Sequence, residues 1–361
     1  MNDQVPQPRR RSTAVVTAVL AALLVACGDS PSGPRHTNDI DLDALFQPAT
    51  AAELAAVEAE WAARTPTAAS VVEEASSLTL MAGGLGTVRV FSHVVDGHRH
   101  YGATLAPTGA AAGSLPVVVF AHGGDTGINM NDVALVTLVL GETVRNFVYV
   151  VPSFRSERLM VGEASWTSEG APSPWDRDVD DALAFLDVAL ERVPEADASR
   201  IGVLGASRGG MAGLLMAIRD PRIRLVSELA GPTDFFGPWL RGLVQDARDG
   251  SLQPLPGIHV LDERFMQPLF RGEMTPAEFR LELVRRSPVL WADRLPPVQV
   301  HHGTADDIVP VSQAHSLVSA LADLQRDVGD EVFLYPGAGH NILELREVDA
   351  RIISFLHRLR Q

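Results

Sequence analysis

Six short, almost uninterrupted apolar runs separated by stretches of helical periodicity constrain this chain more than any other feature. They are PVVVFA (116–121), FVYVVP (147–152), RIGVL (200–204), IRLVSELA (223–230), PVQVHH (297–302) and EVFLYP (331–336). Strands apolar on both sides need cover on both faces, which a parallel sheet with crossover helices supplies. The intervening segments fit. Residues 177–193 put Val179, Leu183, Leu186 and Leu190 on one face, and 343–360 do the same with Leu345, Val348, Ile352, Phe355 and Leu359. The expected class is therefore α/β, a mostly parallel central sheet flanked by helices. VRVFSHVV and HRHYGATLAP flank Asp96-Gly97 and predict a hairpin. Residues 48–64 predict an alanine-rich helix with Leu54, Val57 and Trp61 on one face. About 65 residues separate 223–230 from 297–302, too many for one crossover, so a helical cap insertion is expected over about 233–292.

Composition narrows the chemistry. The chain has 361 residues, is 46% hydrophobic and carries a formal charge of −15. An acidic surface repels nucleic acid, so no nucleic-acid partner is expected. All 30 basic residues are arginine, and there is one cysteine. Schiff-base, P-loop and Ser–Lys chemistry, disulfides and cysteine-rich zinc sites are thereby removed.

The single cysteine has a telling position. Arg9, Arg10 and Arg11 precede an apolar run from Ala14 to Ala26, which suits a signal-peptide core and is short for a transmembrane helix. The run ends Leu24-Val25-Ala26-Cys27, which resembles the lipobox of bacterial lipoproteins. That resemblance implies cleavage before Cys27, lipidation of Cys27, export, and membrane attachment through this anchor alone. The leader carries three arginines and one aspartate, so its removal leaves −17. The expected plan is a signal peptide (1–26), a disordered tether (27–46), an N-terminal helical extension (47–84) and one catalytic domain (85–361).

Residues 201–210, IGVLGASRGG, pose a choice. GASRGG is close to the phosphate-binding loop of short-chain dehydrogenases. Several strands precede it here, however, and the chain lacks the lysine that such catalysis uses. Gly205-Ala206-Ser207-Arg208-Gly209 also matches G-x-S-x-G, in which glycines clear a sharp strand-to-helix turn carrying a serine nucleophile. The partners of such a serine follow in the order acid, then histidine. HHGTADDIVP (301–310) supplies Asp306 and Asp307 after one strand, and YPGAGHN (335–341) supplies His340 after the next. Each lies past a strand's C-terminal end, where open parallel sheets build their sites.

Together VVVFAHGG, GASRGG, HGTADDIVP and YPGAGHN resemble the α/β-hydrolase fold, most closely the catalytic domain of prolyl oligopeptidases and dienelactone-hydrolase-like esterases, over roughly residues 85–360. The resemblance implies a serine hydrolase acting on a small-molecule ester or short peptide without metal or cofactor. Ser207 is the implied nucleophile, His340 the base and Asp306 the orienting acid, with Asp307 the fallback. The backbone amide of Arg208 and that of Gly124, or else Asp125, are the implied oxyanion donors. The propeller of full-length prolyl oligopeptidases is not expected here. The alternative is a non-catalytic envelope binding protein on the same fold.

Other residues carry weaker expectations. One of Asp306 and Asp307 is expected to cap the helix starting near Pro310. His122 is expected to brace its loop. Adjacent His301 and His302 point to opposite faces of a strand and cannot chelate together, and His98 and His100 are expected on the surface. Arg208 is expected to pair with Asp125 or with a substrate carboxylate. Trp166, Trp175, Phe235, Phe236 and Trp239 line an acyl pocket or form cap core.

Overall fold

The computed structural model describes residues 40–64 and 66–361. The expected leader, Cys27 and residues 28–39 of the tether lie outside the described residues. In chain order the helices are α1 (Leu42–Leu45), α2 (Ala51–Ala63), α3 (Met130–Val139), α4 (Arg177–Arg192), α5 (Arg208–Arg219), α6 (Pro238–Asp249), α7 (Ile258–Leu261), α8 (Gln267–Arg271), α9 (Pro276–Arg285), α10 (Ser312–Asp323) and α11 (Val348–Leu356). The strands are β1 (Ala69–Met81), β2 (Gly84–Val95), β3 (His98–Pro107), β4 (Leu115–Ala121), β5 (Ile128–Asn129), β6 (Val148–Pro152), β7 (Arg158–Val161), β8 (Ala164–Thr167), β9 (Ala196–Ala206), β10 (Ile223–Leu229), β11 (Val298–Gly303) and β12 (Glu331–Tyr335).

Nine strands form one sheet in the order β1-β2-β3-β6-β4-β9-β10-β11-β12. Pairing is antiparallel from β1 through β6, and parallel from β6 through β12. Side chains alternate across β4. Val117 and Val119 enter a core with α4, α5, α10 and the cap, while Val118 enters the opposite core with α3 and α11. Both faces are thus buried, as the apolar strands require. Among the described residues no helix is long and apolar enough to cross a membrane.

Three boundaries differ from expectation. Residues 69–81 form β1, a strand of the main sheet, so the stretch 47–84 is not wholly helical. Its sequence, ASVVEEASSLTLM, sits at the sheet edge with most side chains in solvent, and so shows no apolar periodicity. Within the expected tether, α1 buries Leu42 and Leu45. Arg280 of α9 anchors this region by donating to the carbonyls of Leu45 (2.7 Å) and Gln47 (2.8 Å) and to Glu53 (2.6 Å). Glu53 also completes the capping box of α2 with Thr50. The last helix is shorter than expected, with 3₁₀ turns at Ile342–Glu344 and His357–Arg360 around α11. The insertion between β10 and β11 is helical, from α6 through α9 and a 3₁₀ segment at Pro288–Arg294.

Candidate active site

The turn between β9 and α5 is strained and tightly cleared. Ser207 has φ 53° and ψ −122°, a region costing about 1–3 kcal/mol for a non-glycine residue. Its amide donates to the Leu229 carbonyl at 2.7 Å, fixing the turn to β10. A Cβ on Gly205 would lie 2.2 Å from the Gly209 carbonyl oxygen, and one on Gly209 only 1.9 Å from that of Ala121. Only glycine lets strand, helix and β4 approach this closely. The helix then begins at Ser207, where its N-terminal dipole favours developing negative charge.

The loops after β11 and β12 meet above this serine. His340 Nε2 lies 2.9 Å from Ser207 Oγ, and His340 Nδ1 lies 2.7 Å from Asp306 Oδ2. The other oxygen of Asp306 accepts from the amides of Ile308 (3.0 Å) and Val309 (2.9 Å). Burial raises the Asp306 pKa, but the His340 hydrogen bond and these two amides outweigh it, so the carboxyl is held below its usual range. The acid and histidine loops are joined by hydrogen bonds from the Ala305 amide to the Ala338 carbonyl (2.9 Å) and from the Gly337 amide to Thr304 Oγ1 (2.9 Å). Gly303 permits this approach, since a Cβ there would sit 2.3 Å from the Ala338 oxygen.

Asp307 is exposed and stands outside this chain of bonds. Neither aspartate caps α10, whose N-cap, Val311, has no side-chain hydrogen bond; Asp306 instead closes the 306–309 turn. His301 and His302 do part across the strand. His301 Nδ1 lies 2.7 Å from the Tyr335 hydroxyl, and His302 Nε2 donates to the Val309 carbonyl at 2.7 Å. Among the described residues no group of three or more metal-ligating side chains comes together.

The loop after β4 passes directly over Ser207. A Cβ on Gly123 would lie 3.2 Å from Ser207 Cβ. His122 Nδ1 donates to the Gly123 carbonyl at 3.0 Å. Burial, the largest influence, pushes His122 down to about 4, so the ring is neutral at pH 7. A trans peptide directs its N–H opposite its C=O. Holding the Gly123 carbonyl therefore fixes where the Gly124 amide points. Space beside Gly124 is open, with φ +72° and nothing within 4 Å of a built Cβ.

The side chain of Arg208 pairs with neither Asp125 nor open solvent. It is buried, donates to the Gly124 carbonyl at 3.1 Å, and donates to the carboxyl groups of Glu157 and Asp178. Asp125 turns toward the cap, with its Oδ2 3.4 Å from His259 Nδ1 of α7. Glu157 and Asp178 escape the sequence reading altogether. Acidic residues opening a helix look like a solvated first turn, and their arginine partner lies far off in sequence. His100 is another correction. It is fully buried rather than on the surface, 3.6 Å from Asp181, and burial pushes it down to about 3. His98 remains exposed.

The aromatic candidates divide. Trp175 is buried and donates from Nε1 to the Arg208 carbonyl at 3.0 Å, behind the first turn of α5. Phe235 packs edge-on against it and against Trp239, as cap core. Phe236 lies beneath the Arg280 guanidinium, and Trp166 packs toward the α3/α11 core.

No family model matches the chain. The Uncharacterized peptidase YuxL of Bacillus subtilis is 26% identical over 167 residues, 46% of this chain and only 22% of that relative's length. Acetyl xylan esterase 1 from Thermoanaerobacterium sp. JW/SL YS485 superposes with a TM-score of 0.58 at 19% identity, over 90% of this chain and all of that one. The acylaminoacyl peptidase of Pyrococcus horikoshii superposes with a TM-score of 0.51 at 14% identity, over 81% of this chain and half of that one. With its parallel core, strand-to-helix turn at Ser207 and cap between β10 and β11, the chain has the α/β-hydrolase fold.

Proposed function

We propose that the protein is an exported serine hydrolase that cleaves ester or peptide bonds through an acyl-enzyme and is held to a membrane by a lipid on Cys27. The observation that carries the catalytic part is the hydrogen-bonded chain from Ser207 through His340 to Asp306, assembled past the C-terminal ends of the parallel strands β9, β11 and β12. Ser207 Oγ attacks the substrate carbonyl carbon while His340 Nε2 takes its proton. The tetrahedral oxyanion is received by the backbone amides of Arg208 and Gly124. Collapse breaks the bond to the leaving group, which takes the proton from His340. Water then attacks the acyl carbon by the same route and frees Ser207. Asp306 keeps the imidazole in the tautomer that accepts from serine, and stabilises the imidazolium.

The fold relatives support both substrate classes, since they include esterases and peptidases by name. The lipid anchor rests on Leu24-Val25-Ala26-Cys27 alone. Turnover of p-nitrophenyl esters of graded chain length and of a proline-site peptide, by wild type beside Ser207→Ala, tests the catalytic reading. Wild-type turnover lost in the variant is expected. Equal turnover by both proteins overturns it.

A further inference from the structure

Glu157 lies in the loop after β6, outside every motif that marked the site, yet it touches the supports of both oxyanion amides. Its Oε1 accepts from Arg208 Nη1, and the same nitrogen donates to the Gly124 carbonyl at 3.1 Å. Its Oε2 faces His122 Nε2 at 3.6 Å. Both of those atoms are buried and neither has a hydrogen-bond partner, so they are left facing each other just beyond hydrogen-bond range. The Phe154 ring holds the two supports in place, with His122 4.5 Å from its centroid and Arg208 4.8 Å.

We propose that Glu157 is a positioning residue that sets the Gly123–Gly124 peptide over Ser207, acting through His122 on one side and Arg208 on the other. This rests on the reading of Ser207 as nucleophile. The Gly123 carbonyl can only accept, so His122 carries its proton on Nδ1 and presents a lone pair at Nε2. A protonated Glu157 can donate Oε2–H to that lone pair while Oε1 accepts from Arg208. An ionised Glu157 sets a lone pair against a lone pair. It then favours the Nε2–H tautomer, in which Nδ1 no longer donates to Gly123.

The surroundings favour the neutral acid. Glu157 and Asp178 share one guanidinium in a buried site, and Asp125 adds a third nearby carboxylate. Burial, chiefly, pushes Glu157 up to about 7, against the pull of Arg208. The groups facing it are Arg208 from α5, Asp178 from α4, and His122 and Asp125 from the loop after β4. Rising pH therefore loosens the Gly123–Gly124 peptide, giving a decline in activity above neutrality.

The test uses Glu157→Ala and Glu157→Gln with p-nitrophenyl acetate, across pH 5.5–9, beside Ser207→Ala. Glutamine can accept from Arg208 with its oxygen and donate to His122 with its NH2, without titrating. Glu157→Ala is expected to lower kcat roughly 10- to 100-fold with little change in KM, as loss of oxyanion support requires. Glu157→Gln is expected to recover most of that kcat and to lose the alkaline decline. A merely structural role would lower the melting temperature of Glu157→Ala while leaving kcat and the pH profile of the folded protein unchanged, and that result overturns the proposal. Imidazole ¹⁵N shifts of His122 give a readout independent of turnover. The Nδ1–H form should give way near pH 7 in wild type and persist in Glu157→Gln; matching behaviour in both proteins also overturns it. If wild type and Ser207→Ala prove equally active, the reading of Ser207 fails, and the tautomer measurement still decides the contact of Glu157 with His122.

Discussion

Gly209→Ala isolates the close packing that holds Ser207 in place. The added Cβ would stand 1.9 Å from the Ala121 oxygen, 2.4 Å from the Ala121 carbonyl carbon and 2.7 Å from the His122 oxygen. All three are backbone atoms of β4 and its loop, and none can rotate away. Relief to ordinary contact requires the start of α5 and β4 to separate by on the order of 1 Å. Overpacking of this kind costs about 1–3 kcal/mol. The functional cost is larger, because the same shift moves Ser207 and the Arg208 amide away from the Gly123–Gly124 loop. A displacement near 1 Å costs on the order of 100-fold in rate. Gly242, on α6, is the control. It is exposed, with nothing within 4 Å of a built Cβ, so alanine there should stabilise by about 0.5–1 kcal/mol. The assay is the second-order rate of fluorophosphonate labelling for both variants and wild type, with thermal midpoints alongside. Gly209→Ala should stay folded at the assay temperature and label roughly 100-fold more slowly, while Gly242→Ala labels normally. Labelling of Gly209→Ala within threefold of wild type would refute the argument that close approach of β4 to α5 sets the site.

Further expectations follow from the same geometry. Asp306→Asn leaves the turn amides partnered but lets His340 adopt the wrong tautomer, so kcat on a p-nitrophenyl ester should fall by on the order of 10³–10⁴; a loss under tenfold would exclude Asp306 as the orienting acid. Glu228 is fully buried beneath the turn, and burial pushes its carboxyl up to about 8. In the unfolded chain it ionises near its ordinary 4.5, so its contribution is full below that pH and is lost as pH rises toward 8. Glu228→Gln should thus reduce the loss of stability between pH 5 and pH 8 by about 3–4 kcal/mol, read from urea midpoints at the two values; an unchanged difference would contradict this. Cys27→Ser should abolish incorporation of radiolabelled palmitate and release the protein from membranes, and retained label would remove Cys27 as the anchor.

What could be read from sequence was local in origin. Apolar runs such as PVVVFA and RIGVL are strands because both faces are covered, and a covered strand carries its own signature. The turn at Ser207 is legible because close approach demands glycine at 205 and 209. What stayed hidden depends on partners distant along the chain. β1 has a largely exposed, polar sequence and is a strand only because β2 pairs with it. Asp178 and Asp181 look like the polar opening of a helix, and are buried because Arg208 and Arg155 reach them across 30 and 26 residues. His100 follows the same rule, with Asp181 of α4 and the His93 ring of β2 closing over it. The Gly303 clearance that lets the acid and histidine loops meet is likewise a property of two strands together.

The central claim is that Ser207 is a nucleophile activated by His340. Its most direct test is intact-mass and peptide-mapping analysis of wild type and Ser207→Ala after exposure to a fluorophosphonate. The account predicts one adduct per wild-type chain, on the peptide that contains Ser207, and none on the variant. An unmodified wild type, or an adduct that persists in Ser207→Ala, would contradict it.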